Sequence, residues 1–134
     1  MRAADTSVVV AAFASWHEHH DPARRALDSG VRLIEHCALE TYSVLTRLPP
    51  PHRSPGAVAR DFIRSRFPEP YLRLTAAAYR AFILGLPERA VVGGAAYDAL
   101  VAATAAASGA ELVTCDRRAA AVYESYGVRA RFVA

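Results

Sequence analysis

The sequence predicts an α/β fold, with a central parallel sheet of about five short strands flanked by helices. Short apolar runs alternate with helical patterns from one end of the chain to the other, and that order builds parallel sheets with right-handed crossovers. Glycine and proline mark the joints, at Gly30, Pro49-Pro50-Pro51, Gly109 and Gly127. No internal repeat or low-complexity linker interrupts the alternation, and 134 residues that are 53% hydrophobic suit one core. A single domain over 1–134 is expected.

Met1 to Ala4 reads as the first strand, ending at Asp5, after which Thr6, Ser7 and the apolar run Val8 to Phe13 can begin a helix. Trp16-His17-Glu18-His19-His20 forms a loop. Its histidines invite a zinc hypothesis, but no Cys lies nearby and no two of them sit at i and i+4 on one helical face. Asp21-Pro22 reads as an N-cap followed by proline at the first position of a helix running to about Ser29, which Gly30 ends. Val31 to Ile34 is the second strand. A helix from about Ala38 to Leu48 follows, stopped by the triple proline, and Ser54-Pro55 should cap and open another whose apolar face carries Val58, Phe62, Ile63 and Phe67. Tyr71 to Leu74 is a short strand, and Thr75 can cap a helix to Leu86 with Tyr79, Phe82 and Ile83 on its face. An Ala-rich helix, Ala95 to Ser108, stops at Gly109 and leads into a strand, Leu112 to Cys115. Ala119 to Tyr126 is helical, and Val128 to Val133 alternates as an edge strand does.

Composition narrows the class. No apolar run reaches the roughly eighteen residues a membrane helix needs, and no secretory leader is apparent, so a soluble, cytoplasmic protein with no membrane partner is expected. Cys37 and Cys115 are too few for a disulfide framework. If the first strand lies between those ending near the two cysteines, two strand spacings of about 4.8 Å exceed the roughly 7 Å Cα separation a bridge tolerates. A net charge of +3 permits a polyanionic partner without requiring one. Every basic residue is arginine. That suits bidentate phosphate contacts, for which Arg24, Arg25, Arg117 and Arg118 are candidates, and it is equally what a GC-rich coding bias produces.

Chemistry concentrates on four acids. Asp5 and Asp116 stand at strand ends, where open α/β sheets place their sites. Asp98 lies within the Ala-rich helix, which reads as buried all round and supplies no Lys or Arg within four residues, so a charge must reach it from elsewhere. Glu40 falls in the expected first turn of its helix. Taken singly, Asp5 also fits a helix N-cap and Glu40 a dipole partner. Carboxylates meeting at one crevice repel one another, and a hard divalent cation with oxygen ligands, Mg²⁺ or Mn²⁺, resolves that repulsion. Such an ion activates water and offsets charge in a phosphoryl displacement.

Four motifs carry a resemblance. Asp5-Thr6-Ser7 follows the first strand; Glu40-Thr41-Tyr42-Ser43-Val44-Leu45-Thr46-Arg47-Leu48 and Tyr97-Asp98-Ala99-Leu100-Val101-Ala102-Ala103-Thr104-Ala105 follow in order; Thr114-Cys115-Asp116-Arg117-Arg118-Ala119 comes last, with Tyr123 and Gly127 behind it. In this order and spacing they resemble the PIN-domain ribonucleases, above all the VapC toxins of bacterial toxin–antitoxin pairs. The resemblance implies a PIN-like fold and a metal-dependent endoribonuclease, with Asp5, Glu40, Asp98 and Asp116 at the family's acidic positions and Thr114 assisting near an Mg²⁺ or Mn²⁺ ion. It further implies transfer or ribosomal RNA as substrate, a VapB-like antitoxin that places a basic side chain in the acidic pocket, and a homodimer. The chain departs from the pattern at Arg2-Ala3-Ala4, a weakly hydrophobic first strand, and at Cys115, where a larger polar or basic residue is frequent.

Other strand-end acid sites fit less well. A phosphoacceptor receiver domain needs a lysine that this chain lacks, and a haloacid-dehalogenase-type phosphatase needs a second Asp where Ser7 stands. The alternative from a different class is a catalytically silent PIN module that binds RNA or a protein partner.

Overall fold

The computed structural model describes residues 1–28 and 30–133. Four strands, β1 (Arg2–Ala4), β2 (Arg32–Leu33), β3 (Glu111–Thr114) and β4 (Ala130–Phe132), form one parallel sheet in the order β2-β1-β3-β4. Seven helices accompany them among the described residues: α1 (Thr6–Phe13), α2 (His20–Leu27), α3 (Glu35–Thr46), α4 (Gly56–Arg66), α5 (Ala76–Gly85), α6 (Ala95–Ala107) and α7 (Ala120–Ser125). β1 sits in the middle of the sheet, with Ala3 opposite both Arg32 of β2 and Leu112 of β3. Its small alanines are wholly buried, and the depth of the core comes instead from Val8 and Val9 of α1, Leu33, Ile34, Leu112, Val113 and Tyr123. A three-residue central strand therefore suffices, since its neighbours supply the apolar bulk. α1 packs on α2 and α3, and α6 on α7.

Several expectations need correction. The fifth strand, Tyr71 to Leu74, shrinks to a single parallel bridge in which Leu72 N donates to Leu33 O and Glu35 N to Leu72 O, both at 2.9 Å. Pro70 has no N–H to extend the ladder on one side, and Thr75 caps α5 at once on the other, its Oγ1 accepting from Ala78 N at 3.1 Å. α2 starts at His20 with His19 as its N-cap, so Pro22 occupies the third helical position, still within the turn whose N–H groups have no helical partner. The expected helix end at Ser29 lies outside the described residues. α3 starts at Glu35, three residues early, which puts Glu40 in its second turn and gives the dipole position to Glu35. Ser54 does not cap α4; Pro55 is the N-cap, and the Ser54 hydroxyl donates to Pro55 O. The stretch after Asp116 begins as a 3₁₀ turn, Arg117–Ala119, before α7.

Two faces differ more. α6 is buried on one side only, with Ala99, Val101, Ala102, Thr104 and Ala105 inward and Tyr97, Ala106 and Ala107 exposed, because alanine permits either environment. α5 buries no residue, and Tyr79, Ile83 and Leu84 stand exposed. No helix among the described residues is long and apolar enough to cross a membrane.

Candidate functional site

The parallel sheet sends β1 and β3 in the same direction side by side, so the residues that follow them emerge together at one edge. Asp5 directly follows β1 and Asp116 follows β3 by two residues. α3, which packs on α1, brings Glu40, and α6, which packs on α3 and β3, brings Asp98. All four acids line one cleft of about 520 Å³, together with Thr6, Ser7, His36 and Arg118.

Asp5 is the most constrained of them. The residue is 3% exposed, and four donors surround its carboxylate: Oδ1 accepts from Ser7 Oγ at 2.6 Å and from Val8 N at 3.3 Å, while Oδ2 accepts from Thr114 Oγ1 and from Tyr123 OH at 2.8 Å. The N-cap reading of Asp5 is thus correct and incomplete, since capping uses one of its four hydrogen bonds. Burial pushes its carboxyl above the ordinary aspartate value, and the hydroxyl donors only partly offset this. Thr114 and Ser7 tie the two strand ends together: Asp116 N donates to Thr114 Oγ1 at 2.9 Å and Cys115 N to Ser7 Oγ at 2.8 Å.

Glu40 accepts from Thr6 Oγ1 at 2.5 Å and faces His36 Nε2 at 3.8 Å, one turn back on α3. The imidazole of His36 and the Thr6 hydroxyl hold its carboxyl below the ordinary range, against a smaller opposing effect of burial. His36 in turn stacks on Tyr97, with ring centroids 5.3 Å apart and 11° between planes, which links α3 to the turn of α6 that carries Asp98.

Asp98 receives its missing charge from Arg118. That guanidinium lies 3.5 Å from Asp98 Oδ2 and 3.1 Å from Asp116 Oδ2, bridging the two carboxylates, while Asp116 Oδ1 accepts from Arg118 N at 3.0 Å. Burial nevertheless raises the Asp98 carboxyl, and the charges of Asp116 and Glu40 push in the same direction against Arg118. The oxygens are not drawn into one coordination sphere, for among the described residues no group of three or more His, Cys, Asp or Glu side chains is placed to hold an ion. As a donor set they still fit a hard divalent cation: all are carboxylate oxygens, the ionised Asp98 is disfavoured by burial and by its acidic neighbours, and a positive group already spans two of them.

Sequence reasoning named the four acids and Thr114 but gave no supporting task to Tyr123, Thr6, Ser7, His36 or Arg118. Tyr123 and Ser7 stood inside the quoted motifs without an assigned task. His36 was visible as a residue four before Glu40 and so on the same helical face. Arg118, taken as a phosphate candidate, is committed to Asp98 and Asp116, and Arg117 lies over the Phe132 ring at 4.4 Å. Arg24 and Arg25 are exposed on α2.

The chain matches the PIN domain over residues 3–125. Ribonuclease VapC40 of Mycobacterium tuberculosis, in strains H37Rv and CDC 1551 / Oshkosh, is 52% identical over 133 residues that span 99% of both chains. Ribonuclease VapC27 of M. tuberculosis H37Rv is 38% identical, spanning 94% of this chain and 92% of its own.

Proposed function

This chain belongs to the PIN-domain family and is a VapC-like ribonuclease, and we propose that Asp5, Glu40, Asp98 and Asp116 form its metal-dependent endonuclease site. The observation that carries this reading is the meeting of four acids from four separate elements in one cleft, where burial first, and then the charges of Asp116 and Glu40, raise the Asp98 carboxyl against Arg118. The names of the relatives favour the nuclease over the silent-module alternative.

The acids would hold Mg²⁺ or Mn²⁺, which when bound supplies a nucleophilic water at neutral pH and charge neutralisation for an in-line displacement at phosphorus. The remaining parts are the protein's own. Asp5, fixed by four donors, sets the floor of the cleft and leaves no freedom for its carboxylate to rotate. Thr6 and His36 keep Glu40 ionised and aimed inward. Arg118, paired with Asp98 and Asp116, offsets part of their charge at the exposed side of the cleft. The pairing of Arg118 with those two acids also supports the further reading that a VapB-like antitoxin inhibits the toxin by setting a basic side chain in the same pocket. A homodimer is supported by α5, whose exposed Ile83 and Leu84 lack cover.

Production of the protein in a bacterial host tests the toxin reading. Growth should arrest when it is made alone and recover when its neighbouring small reading frame is co-expressed, and Asp116→Asn should be harmless at equal abundance. Harmless production of the intact protein would overturn it.

A further inference from the structure

Between α1 and α2 the chain leaves helical structure at Ala14 and re-enters it at His20. The connecting residues hold three rings, Trp16, His17 and His19, and the loop between α3 and α4 adds a fourth, His52. Trp16 and His52 lie with ring centroids 4.2 Å apart and 34° between planes, Trp16 and His17 at 6.2 Å, and His17 and His19 at 5.6 Å. The rings therefore run as a continuous series. One end reaches the acidic cleft, since His17 and His19 line it alongside the four carboxylates. The other end is open, for His52 is exposed and Trp16 beside it is 50% exposed.

The loop is held in place rather than loose. His17 N donates to Ala14 O at 2.9 Å, His19 N to His17 Nδ1 at 3.0 Å, and His20 Nδ1 lies 2.9 Å from Ala11 O. A large apolar ring fixed half in solvent contributes little to the core, yet it offers a face to a ligand with a flat π system. Bases of an unpaired RNA strand are such ligands, and stacking on aromatic side chains is how proteins hold them without reading sequence. Burial and the neighbouring His19 lower the His17 pKa, so at neutral pH this ring is an uncharged aromatic surface and not a phosphate-binding cation.

We propose that Trp16, His17, His19 and His52 form a stacking subsite for an unpaired base of the RNA strand, adjoining the phosphodiester held at the acidic cleft. This rests on the reading of that cleft as the site of RNA cleavage. The rings would set which strand enters and where it is cut, favouring loops and single-stranded segments over duplex.

Trp16 is the sole tryptophan, so its fluorescence reports directly on the subsite. The probe is a short unstructured oligoribonucleotide with a fluorescent end label, beside the same strand carrying abasic positions, both mixed with Asp98→Asn protein in EDTA so that the strand stays intact. Label anisotropy reads binding and tryptophan emission reads stacking. The complete strand should bind and quench Trp16, and the abasic strand should bind more weakly without quenching. Trp16→Ala should weaken binding of the complete strand roughly tenfold, and Trp16→Phe should retain most of it. In the active protein Trp16→Ala should raise KM for the unstructured RNA and leave Mn²⁺ affinity unchanged. Binding with no change in Trp16 emission, or equal quenching by the abasic strand, overturns the subsite while the RNA site stands. Quenching by the antitoxin and none by RNA assigns the rings to a protein partner and also overturns it. Failure of every strand to bind, with Mn²⁺ as well as without, removes the RNA site and the subsite together.

Discussion

Tyr123 donates its hydroxyl to Oδ2 of Asp5 at 2.8 Å, joining α7 to the first residue after β1 in the buried floor of the cleft. Burial and the charge of Asp5 push the Tyr123 hydroxyl far above its ordinary value, so it remains a donor at every working pH. Tyr123→Phe should therefore destabilise the protein by about 1–3 kcal/mol, because the carboxylate it leaves behind has little water to replace the lost bond. The loss should depend on pH. Asp5 already has a raised folded-state pKa, so its ionisation subtracts from stability as pH rises through that value, and removing a donor to the ionised form deepens the subtraction. Below the ordinary aspartate range, where Asp5 is protonated in both folded and unfolded chains, this contribution vanishes. Urea unfolding of both proteins at neutral and acid pH measures it, with the larger difference expected at neutral pH.

Asp98→Asn should raise the melting temperature of the metal-free protein. Burial disfavours the ionised Asp98, the charges of Asp116 and Glu40 add to that, and an amide of equal shape keeps the packing of α6. The gain is limited to about 1 kcal/mol, since Arg118 loses part of its pairing and solvent screens an open cleft. Its sign changes nothing at low pH. The Asp98 carboxyl is raised in the folded chain, so the wild type recovers by taking up a proton as pH falls through that value, and the advantage of the amide shrinks towards zero. Thermal melts in EDTA at several pH values follow this directly. A free Mn²⁺ concentration a hundredfold above its dissociation constant should add roughly 2.7 kcal/mol to the wild type and much less to the variant.

Both cysteines are free. Cys37 is wholly buried in α3 and its thiol is pushed far above the ordinary value, while Cys115 is half-buried and pushed up to about 11. Thiolate is the reactive form, so native protein at neutral pH should react slowly with iodoacetamide, Cys115 before Cys37. Two thiols should titrate once the non-reduced protein is unfolded. A count of zero would contradict the placement of β1 between β2 and β3.

The order of strands and helices was legible because hydrophobic period and Gly/Pro punctuation are local signals, and the four acids were legible because each sits in a short motif at a strand end or on a helix. What escaped was whatever depended on contacts between distant segments. The bridge Ile34–Leu72 replaces a strand because Pro70 and Thr75 crowd it from both sides. The early start of α3 follows from Glu35 N pairing with Leu72 O, a bond no local pattern announces. Asp98 reads as buried all round because alanine gives no sign of which side of α6 faces solvent. Its partner Arg118 lies 20 residues on, and only the adjacency of α6 and the turn after β3 brings them together.

Cleavage of structured RNA in Mn²⁺ and then in EDTA decides whether the four acids make a metal-dependent nuclease. Wild-type protein should cut in Mn²⁺ and stop in EDTA, recovering when the ion is restored. Glu40→Gln, Asp98→Asn and Asp116→Asn, each verified as folded by melting, should slow cleavage in Mn²⁺ on the order of a hundredfold or more. Undiminished cleavage in EDTA, or full activity of folded Asp98→Asn and Asp116→Asn, would contradict the site.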